Sequence, residues 1–223
     1  MFELTPLQKK VLYLFAKSSL KNKFYWTGGT LLSSRYLHHR RSNDLDFFTD
    51  KPFSYNQVIG FIQKLKKELK LPQVDEKKIY DRQEFILHNR GKLRLEFVQY
   101  DHPKLKTREK WKGIMIDSLD DMASNKLMSF FDRNDPKDLF DLYFLLTKKK
   151  YTIKKLLKLV EKKFGVSFEE SSVLSETHKS TKELDNLKPL ILAKNQKERK
   201  RIIKEIQEYF SDLSNQYLKQ VLD

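Results

Sequence analysis

Asp44-Leu45-Asp46 opens an apolar, alternating run, Asp44 to Phe48, that reads as a β-strand. Side chains at i and i+2 of a strand leave the same face, so both carboxylates point one way while Leu45 and Phe47 pack the other. Like charges at that spacing repel. A hard divalent cation between them relieves the repulsion, and oxygen ligands on a rigid strand suit Mg²⁺, which keeps several waters and takes further ligands from substrate phosphates. A strand end meeting solvent would account for an isolated Asp-x-Asp equally well, but two other features accompany this one. Upstream, Gly28-Gly29-Thr30 lies between the strand-like Phe24-Tyr25-Trp26 and a helical segment, Leu31 to Leu37, where missing Cβ atoms let backbone amides approach an anion. Downstream, Lys92 to Tyr100 alternates as a strand with Glu96 on the face opposite Leu95 and Phe97. If that strand lies beside the Asp44 strand, a third carboxylate joins the pair. Three acids facing a phosphate-binding turn would form a two-metal site, one ion lowering the pKa of an attacking hydroxyl and both bridging a nucleoside triphosphate.

The elements that must position these residues can be read from periodicity. Leu7 to Leu20 carries a helical stripe, and Val58, Ile59, Ile62, Leu65 and Leu69 form one face of a helix opened by Pro52 to Tyr55 and ended by Pro72. Glu84 to His88 and Lys92 to Tyr100 are joined by Asn89-Arg90-Gly91, a hairpin signal with glycine where positive φ is needed. After Pro103 everything reads as helical. Asp117-Ser118 caps a helix running to about Phe131; Lys137 to Leu146, Leu156 to Phe164 and Leu184 to Ala193 follow around a polar stretch, Ser167 to Ser180. A last helix, Lys197 to Leu222, puts Ile202, Ile206, Tyr209 or Phe210, Leu213, Tyr217 and Val221 on one face. The expected fold class is α+β: a mixed sheet with flanking helices over residues 1–110, then a helical lobe over 111–223.

The 223 residues include 45 Lys and Arg against 30 Asp and Glu, a net charge of +15, and 34% are charged, far too polar for a membrane-spanning chain. With 39% hydrophobic residues there is enough apolar surface for a core. Cysteine is absent, which removes disulfide scaffolds, thiolate metal sites and thiol nucleophiles, and suits the cytoplasm. The longest apolar run near the amino terminus, Val11 to Ala16, is too short for a signal peptide or anchor. The positive balance favours a polyanionic partner, since neutralising phosphates releases counterions. The cluster Lys197, Arg199, Lys200, Arg201 and Lys204 opens the last helix, where cations oppose the helix dipole. A nucleic-acid backbone and a solvated face both explain it.

Gly28-Gly29-Thr30, then His39-Arg40-Arg41-Ser42-Asn43-Asp44-Leu45-Asp46-Phe47-Phe48, then Lys126-Leu127, and finally Arg133 with Lys137-Asp138-Leu139-Phe140-Asp141-Leu142-Tyr143 resemble the four motifs of the AbiEii/AbiGii toxin nucleotidyltransferases. These belong to the DNA polymerase beta-like nucleotidyltransferase superfamily. The resemblance spans roughly residues 20 to 147. It implies that Asp44 and Asp46 hold Mg²⁺ with Glu96 in the third acidic place, where a Glu departs mildly from the usual Asp. It also implies that Gly28, Gly29, Thr30 and Ser42 line the triphosphate of an NTP, with Arg40 near it or bracing the loop. Lys126 would grip the phosphates, and Asp141 would complete the site or orient Lys126. An interhelical ion pair between Lys126 and Asp141 is the plainer possibility. His38 and His39, as chain neighbours, are poor joint ligands, and Asp138 is placed to cap its helix or pair with Arg133.

These features point to a Mg²⁺-dependent nucleotidyltransferase that moves a nucleoside monophosphate from NTP to an acceptor. The resemblance implies the toxin of a type IV toxin–antitoxin pair, with a cognate antitoxin and the 3′ end of tRNA as acceptor. A protein or small-molecule hydroxyl is the alternative acceptor. A basic RNA- or partner-binding protein without catalysis is the alternative class.

Overall fold

The computed structural model describes residues 4–80, 82–188 and 190–222, and two compact units make up the chain. The first comprises residues 1–38 and 42–122; the second comprises 39–41 and 123–223. No helix among the described residues is long and apolar enough to cross a membrane.

The first unit is built on one seven-stranded mixed sheet. Its strands are β1 (Tyr25–Thr27), β2 (Leu45–Thr49), β3 (Gln73–Ile79), β4 (Arg82–His88), β5 (Lys92–Gln99), β6 (Glu109–Trp111) and β7 (Ile114–Ile116), in the order β3-β4-β5-β2-β1-β7-β6. β2 runs antiparallel to β1 and parallel to β5, so the central strand is paired on both edges. Helices α1 (Pro6–Ala16) and α3 (Tyr55–Glu68) bury Val11, Phe15, Val58, Phe61 and Leu65. α1 starts with Pro6 behind a Thr5/Gln8 capping box, which satisfies amides that the first turn leaves open. Phe15 stacks on Phe47 with ring centroids 4.1 Å apart, and Phe47 stacks on Phe97 at 5.3 Å. These residues carry the apolar phase of β2 and β5, so the same alternation that buries Phe47 and Phe97 turns Asp46 and Glu96 to the opposite face.

Between β1 and β2 the chain forms one helical turn, α2 (Gly28–Leu31), which relaxes into a π-helical segment over Leu32–Leu37 and stops at His38 in the left-handed region. Two short strands, β6 and β7, interrupt the stretch after Pro103 that sequence periodicity reads as wholly helical. Three residues each are too few to show alternation. Lys112 at φ 47° and Gly113 at φ 86° form the two-residue turn that joins them, and β7 pairs with β1 through Trp26 and Ile116.

The second unit is helical: α4 (Leu119–Arg133, from Ala123 onward), α5 (Pro136–Lys148), α6 (Ile153–Phe164), α7 (Glu170–Thr181) and α8 (Gln196–Leu222). α7 occupies most of the stretch, Ser167 to Ser180, that reads only as polar in the sequence. Its buried residues, Val173, Leu174, Thr177 and Ser180, give only a faint apolar stripe. Conversely, Leu184 to Ala193 does not form the expected helix: a short 3₁₀ turn, Leu184–Leu187, is followed by an isolated bridge between Ile191 and Arg40. The segment carries Pro189, which is incompatible with an uninterrupted helix. α8 buries Ile206 and Phe210 of the expected face, with Ile203 buried in place of Ile202, and Val221 is 62% exposed.

Two substitutions test the packing argument. Phe47→Ala removes a ring clasped between Phe15 and Phe97 and is expected to destabilise the protein by about 3–5 kcal/mol in urea unfolding. Gly60→Ala, in the interior of α3 with open space where its Cβ would stand, is expected to stabilise by about 0.5–1 kcal/mol.

Candidate active site

In the first unit the sheet register assembles a row of carboxylates. Asp46 on β2 is the register partner of Glu96 on β5, and Glu96 is the partner of Glu84 on β4. Asp44 stands just before β2, on the same side as Asp46. Thr27 pairs with Asp46 from β1, so Gly28 follows directly over that carboxylate. A Cβ built on Gly28 would lie 1.7 Å from Asp46 Oδ2, and Gly28 has φ +78°. No side chain other than hydrogen fits there. The Thr30 hydroxyl donates to the Asp44 carbonyl, tying the glycine turn to the base of β2. The Ser42 carbonyl accepts from the Gln8 side chain at 3.0 Å.

Arg94 is the counter-charge of this row. Its guanidinium donates to Asp44 Oδ2 at 2.6 Å, stands 2.7 Å from Glu96 Oε1 and reaches Glu84 Oε2 at 3.4 Å. Partial burial opposes its charge, but the hydrogen bond to Asp44 and the charges of Asp44, Glu96 and Asp46 outweigh burial and raise its pKa above the ordinary value. Sequence reading missed both Arg94 and Glu84. Arg94 was available from period-2 spacing, two residues before Glu96. Glu84 was available from the three-residue hairpin loop, which sets Glu84 opposite Glu96.

Among the described residues, no three His, Cys, Asp or Glu side chains converge into a ready cation cage. The donor set nevertheless suits a hard cation. Asp44, Asp46 and Glu96 share a face, Gly28 sets bare backbone against the Asp46 carboxylate, and Glu96 Oε1 is buried without a well-aligned hydrogen bond despite the proximity of Arg94. Such an ion and the Arg94 guanidinium would draw on the same oxygens.

The second unit holds a separate, buried network. Asp141, 0% exposed, receives Arg40 in a bidentate fork, Nε at 2.6 Å and Nη2 at 2.8 Å, together with Lys126 Nζ at 2.9 Å. Lys126 also donates to Asp138 at 2.8 Å, and Arg133 holds the far side of Asp138 at 2.8 and 3.1 Å. Arg40 therefore braces its own loop: its remaining donor goes to the Arg41 carbonyl, and Arg41 N donates to Leu190 O. Burial pushes against the Asp141 charge, but Arg40 and Lys126 hold its pKa well below the carboxylate range.

His39 joins the same carboxylate, Nε2 lying 2.6 Å from Asp141 Oδ1. Burial pushes its pKa down to about 4 against the pull of Asp141, so the ring is neutral near pH 7. A neutral ring facing a carboxylate carries its proton on Nε2, an assignment made from the network. Nδ1 is then an acceptor, and it is buried without a hydrogen-bond partner.

His39 gives the protein a defined acid sensitivity. The folded pKa lies below the ordinary 6.5, so the unfolded chain binds more protons between those values. Stability is full above about pH 6.5 and falls towards pH 4, by on the order of 3 kcal/mol. Asp141, whose pKa is depressed, extends the loss to lower pH. Urea midpoints measured from pH 7 to 4.5 are expected to fall steeply in the native sequence and less steeply in His39→Gln. Separately, Gly28→Ala is expected to cost roughly 2–4 kcal/mol from the close approach and the positive φ, in the same urea measurement.

With this geometry in view, the chain can be set beside known proteins. It is 35% identical over 168 residues, 74% of this chain and 77% of the relative, to the uncharacterized protein aq_aa25 of Aquifex aeolicus (strain VF5). Its fold is similar to the crystal structure of JHP933 from Helicobacter pylori, with a TM-score of 0.56 and 20% identity over 97% of this chain and 95% of that one. It is similar too to an H. pylori protein provisionally described as a nucleotidyltransferase, with a TM-score of 0.56 and 21% identity over 93% of this chain and 94% of that one. The family model described as the nucleotidyl transferase AbiEii toxin of type IV toxin–antitoxin systems matches residues 10–222, nearly the whole chain and both units, and the chain belongs to that family.

Proposed function

We propose that this member of the AbiEii family transfers a nucleoside monophosphate from NTP to the 3′-hydroxyl of tRNA, using Mg²⁺ held by Asp44, Asp46 and Glu96. The observation that carries this reading is the carboxylate row of β2 and β5 lying against Gly28. Bound there, Mg²⁺ would supply charge neutralisation for the triphosphate and a lowered pKa for the attacking hydroxyl. The chain's own part is positioning. Gly28 and Gly29 let the backbone come close to phosphate oxygens, Thr30 fixes that turn to β2, and Ser42 lies on the approach to Asp44.

In the transfer, the acceptor oxygen forms a bond to the α-phosphorus as the bond to the pyrophosphate oxygen breaks. The hydroxyl proton passes to one of the acids or to water. In the second unit, Lys126, Arg40 and Arg133 stand in the field of Asp138, Asp141 and Asp135, so the network is balanced without His39, which is neutral. The phosphate contact of Lys126 is carried by the likeness of Lys126-Leu127 to the family motif, since Lys126 itself pairs with Asp138 and Asp141. An RNA acceptor agrees with the net charge of +15. Membership of a type IV toxin family implies an antitoxin partner, and the cytoplasm, where NTP and tRNA meet, is the proposed location.

The test incubates the pure protein with Mg²⁺, each α-labelled NTP in turn and total tRNA. Labelled tRNA and released pyrophosphate are expected, falling at least about a hundredfold with Asp46→Asn, a change that keeps the shape of the side chain. Lys126→Gln, which leaves each aspartate an arginine partner, is expected to raise the KM for NTP. Self-labelling would move the acceptor to a protein hydroxyl, and no transfer from any NTP would remove the reaction.

A further inference from the structure

A cleft of about 620 Å³ opens in the first unit between the start of α1 and the β4–β5 hairpin. Lys10 contributes from α1, Arg90 and Lys92 from the hairpin, and the amides Asn43 and Asn89 lie beside them; no acidic residue lines it. Lys10 and Arg90 make no ion pair with any described residue, and Lys92 lies in the field of the half-buried Asp75. Three like charges gathered around a concavity repel one another, a cost that an anion in the cleft would reverse.

Position narrows the class of anion. Asn43 immediately precedes Asp44, and Leu93, which also lines the cleft, immediately precedes Arg94. Leu93 and Arg94 are consecutive in β5 and face opposite ways, so the cleft lies behind the carboxylate row, at the end of the sheet where Asn43 and Asp44 lead into β2. Its cations come from two separate walls, which suits successive phosphates of a chain better than a single phosphate group. The amides of Asn43 and Asn89 offer donors and acceptors to base edges. We infer that this cleft holds the phosphodiester backbone of single-stranded RNA, the strand whose end is presented to Asp44 and Asp46. The identification of the strand as acceptor rests on the proposed reaction; the binding of RNA in the cleft does not.

The absence of cysteine makes a direct test available. Asn89→Cys places a single thiol in the cleft, and its alkylation by N-ethylmaleimide reports occupancy; Lys64→Cys, exposed on α3, is the control. A single-stranded RNA of about 12 nucleotides, at roughly ten times its Kd, should leave about one cleft in eleven open and slow alkylation of the Asn89 thiol about tenfold. The control thiol should be unaffected. Neutralising Lys10, Arg90 and Lys92 together to Gln should abolish the protection, while neutralising Lys64, Lys66 and Lys67 on α3 should not. Equal reactivity with and without RNA overturns the inference. So does equal protection by ATP at the same phosphate concentration, which would mark a mononucleotide site, or by polyglutamate, which would mark a protein-docking surface. Protection without nucleotide transfer would keep the cleft and remove the proposed reaction, whereas transfer without protection would do the reverse.

Discussion

Repulsion between carboxylates fixed on one face of the sheet is the constraint around which the first unit is arranged. The parallel pairing of β2 with β5 sets Asp46 directly beside Glu96, and the hairpin adds Glu84 on the far side. Two carboxylates about 5 Å apart at an effective dielectric constant near 20 repel by roughly 3 kcal/mol. The acids cannot relax by a register slip, because moving β2 by one residue would turn Phe47 out of its stack between Phe15 and Phe97. Burial of those rings is worth about 2–3 kcal/mol each, enough to keep the charges where they are. Arg94 answers the repulsion from within the chain, and a divalent cation would answer it more compactly.

The second unit solves a different electrostatic problem. Asp141 is wholly buried, and an isolated carboxylate there would be untenable. A bidentate Arg40, a lysine and a neutral imidazole meet its lone pairs, so the desolvation of each ion is offset by geometry. The sequence HRRSND therefore divides its labour. His39 and Arg40 serve the buried aspartate of the helical unit, with the backbone of Arg41 completing the attachment, while Asn43 and Asp44 serve the sheet.

This division explains which parts of the site could be read from residues alone. Asp44, Asp46 and Glu96 were legible because period 2 in a strand is local, and the apolar phase marks which side the acids take. The neighbour relation of β2 and β5 is non-local; it was anticipated as a condition and is decided only by the register. Arg40 sits two residues before Ser42 in the sequence, yet its guanidinium belongs to a carboxylate 101 residues away. No spacing rule reaches that far. The short strands β6 and β7 and the weakly striped α7 were invisible for the opposite reason: their local signal is too faint, and tertiary pairing decides them.

A lattice of ion pairs and the proposed metal site look alike when only charges are counted, and Gly28 is the feature that bears on the difference. The partnership of Arg94 with Asp44, Glu84 and Glu96 would be served equally well with any small residue at the end of β1 that the backbone tolerated. Gly28 answers to something else: a Cβ on its backbone would stand 1.7 Å from Asp46 Oδ2, at a φ that L-residues avoid. An ion-pair lattice gains nothing from bringing a main chain that close to one carboxylate. A site that must admit a substrate's phosphates beside a carboxylate-bound cation gains directly, because amide donors and carboxylate oxygens then face the same small volume. The close approach of Gly28 to Asp46 is therefore a stronger argument for phosphate chemistry than the number of acids, and it would stand even if Arg94 were absent.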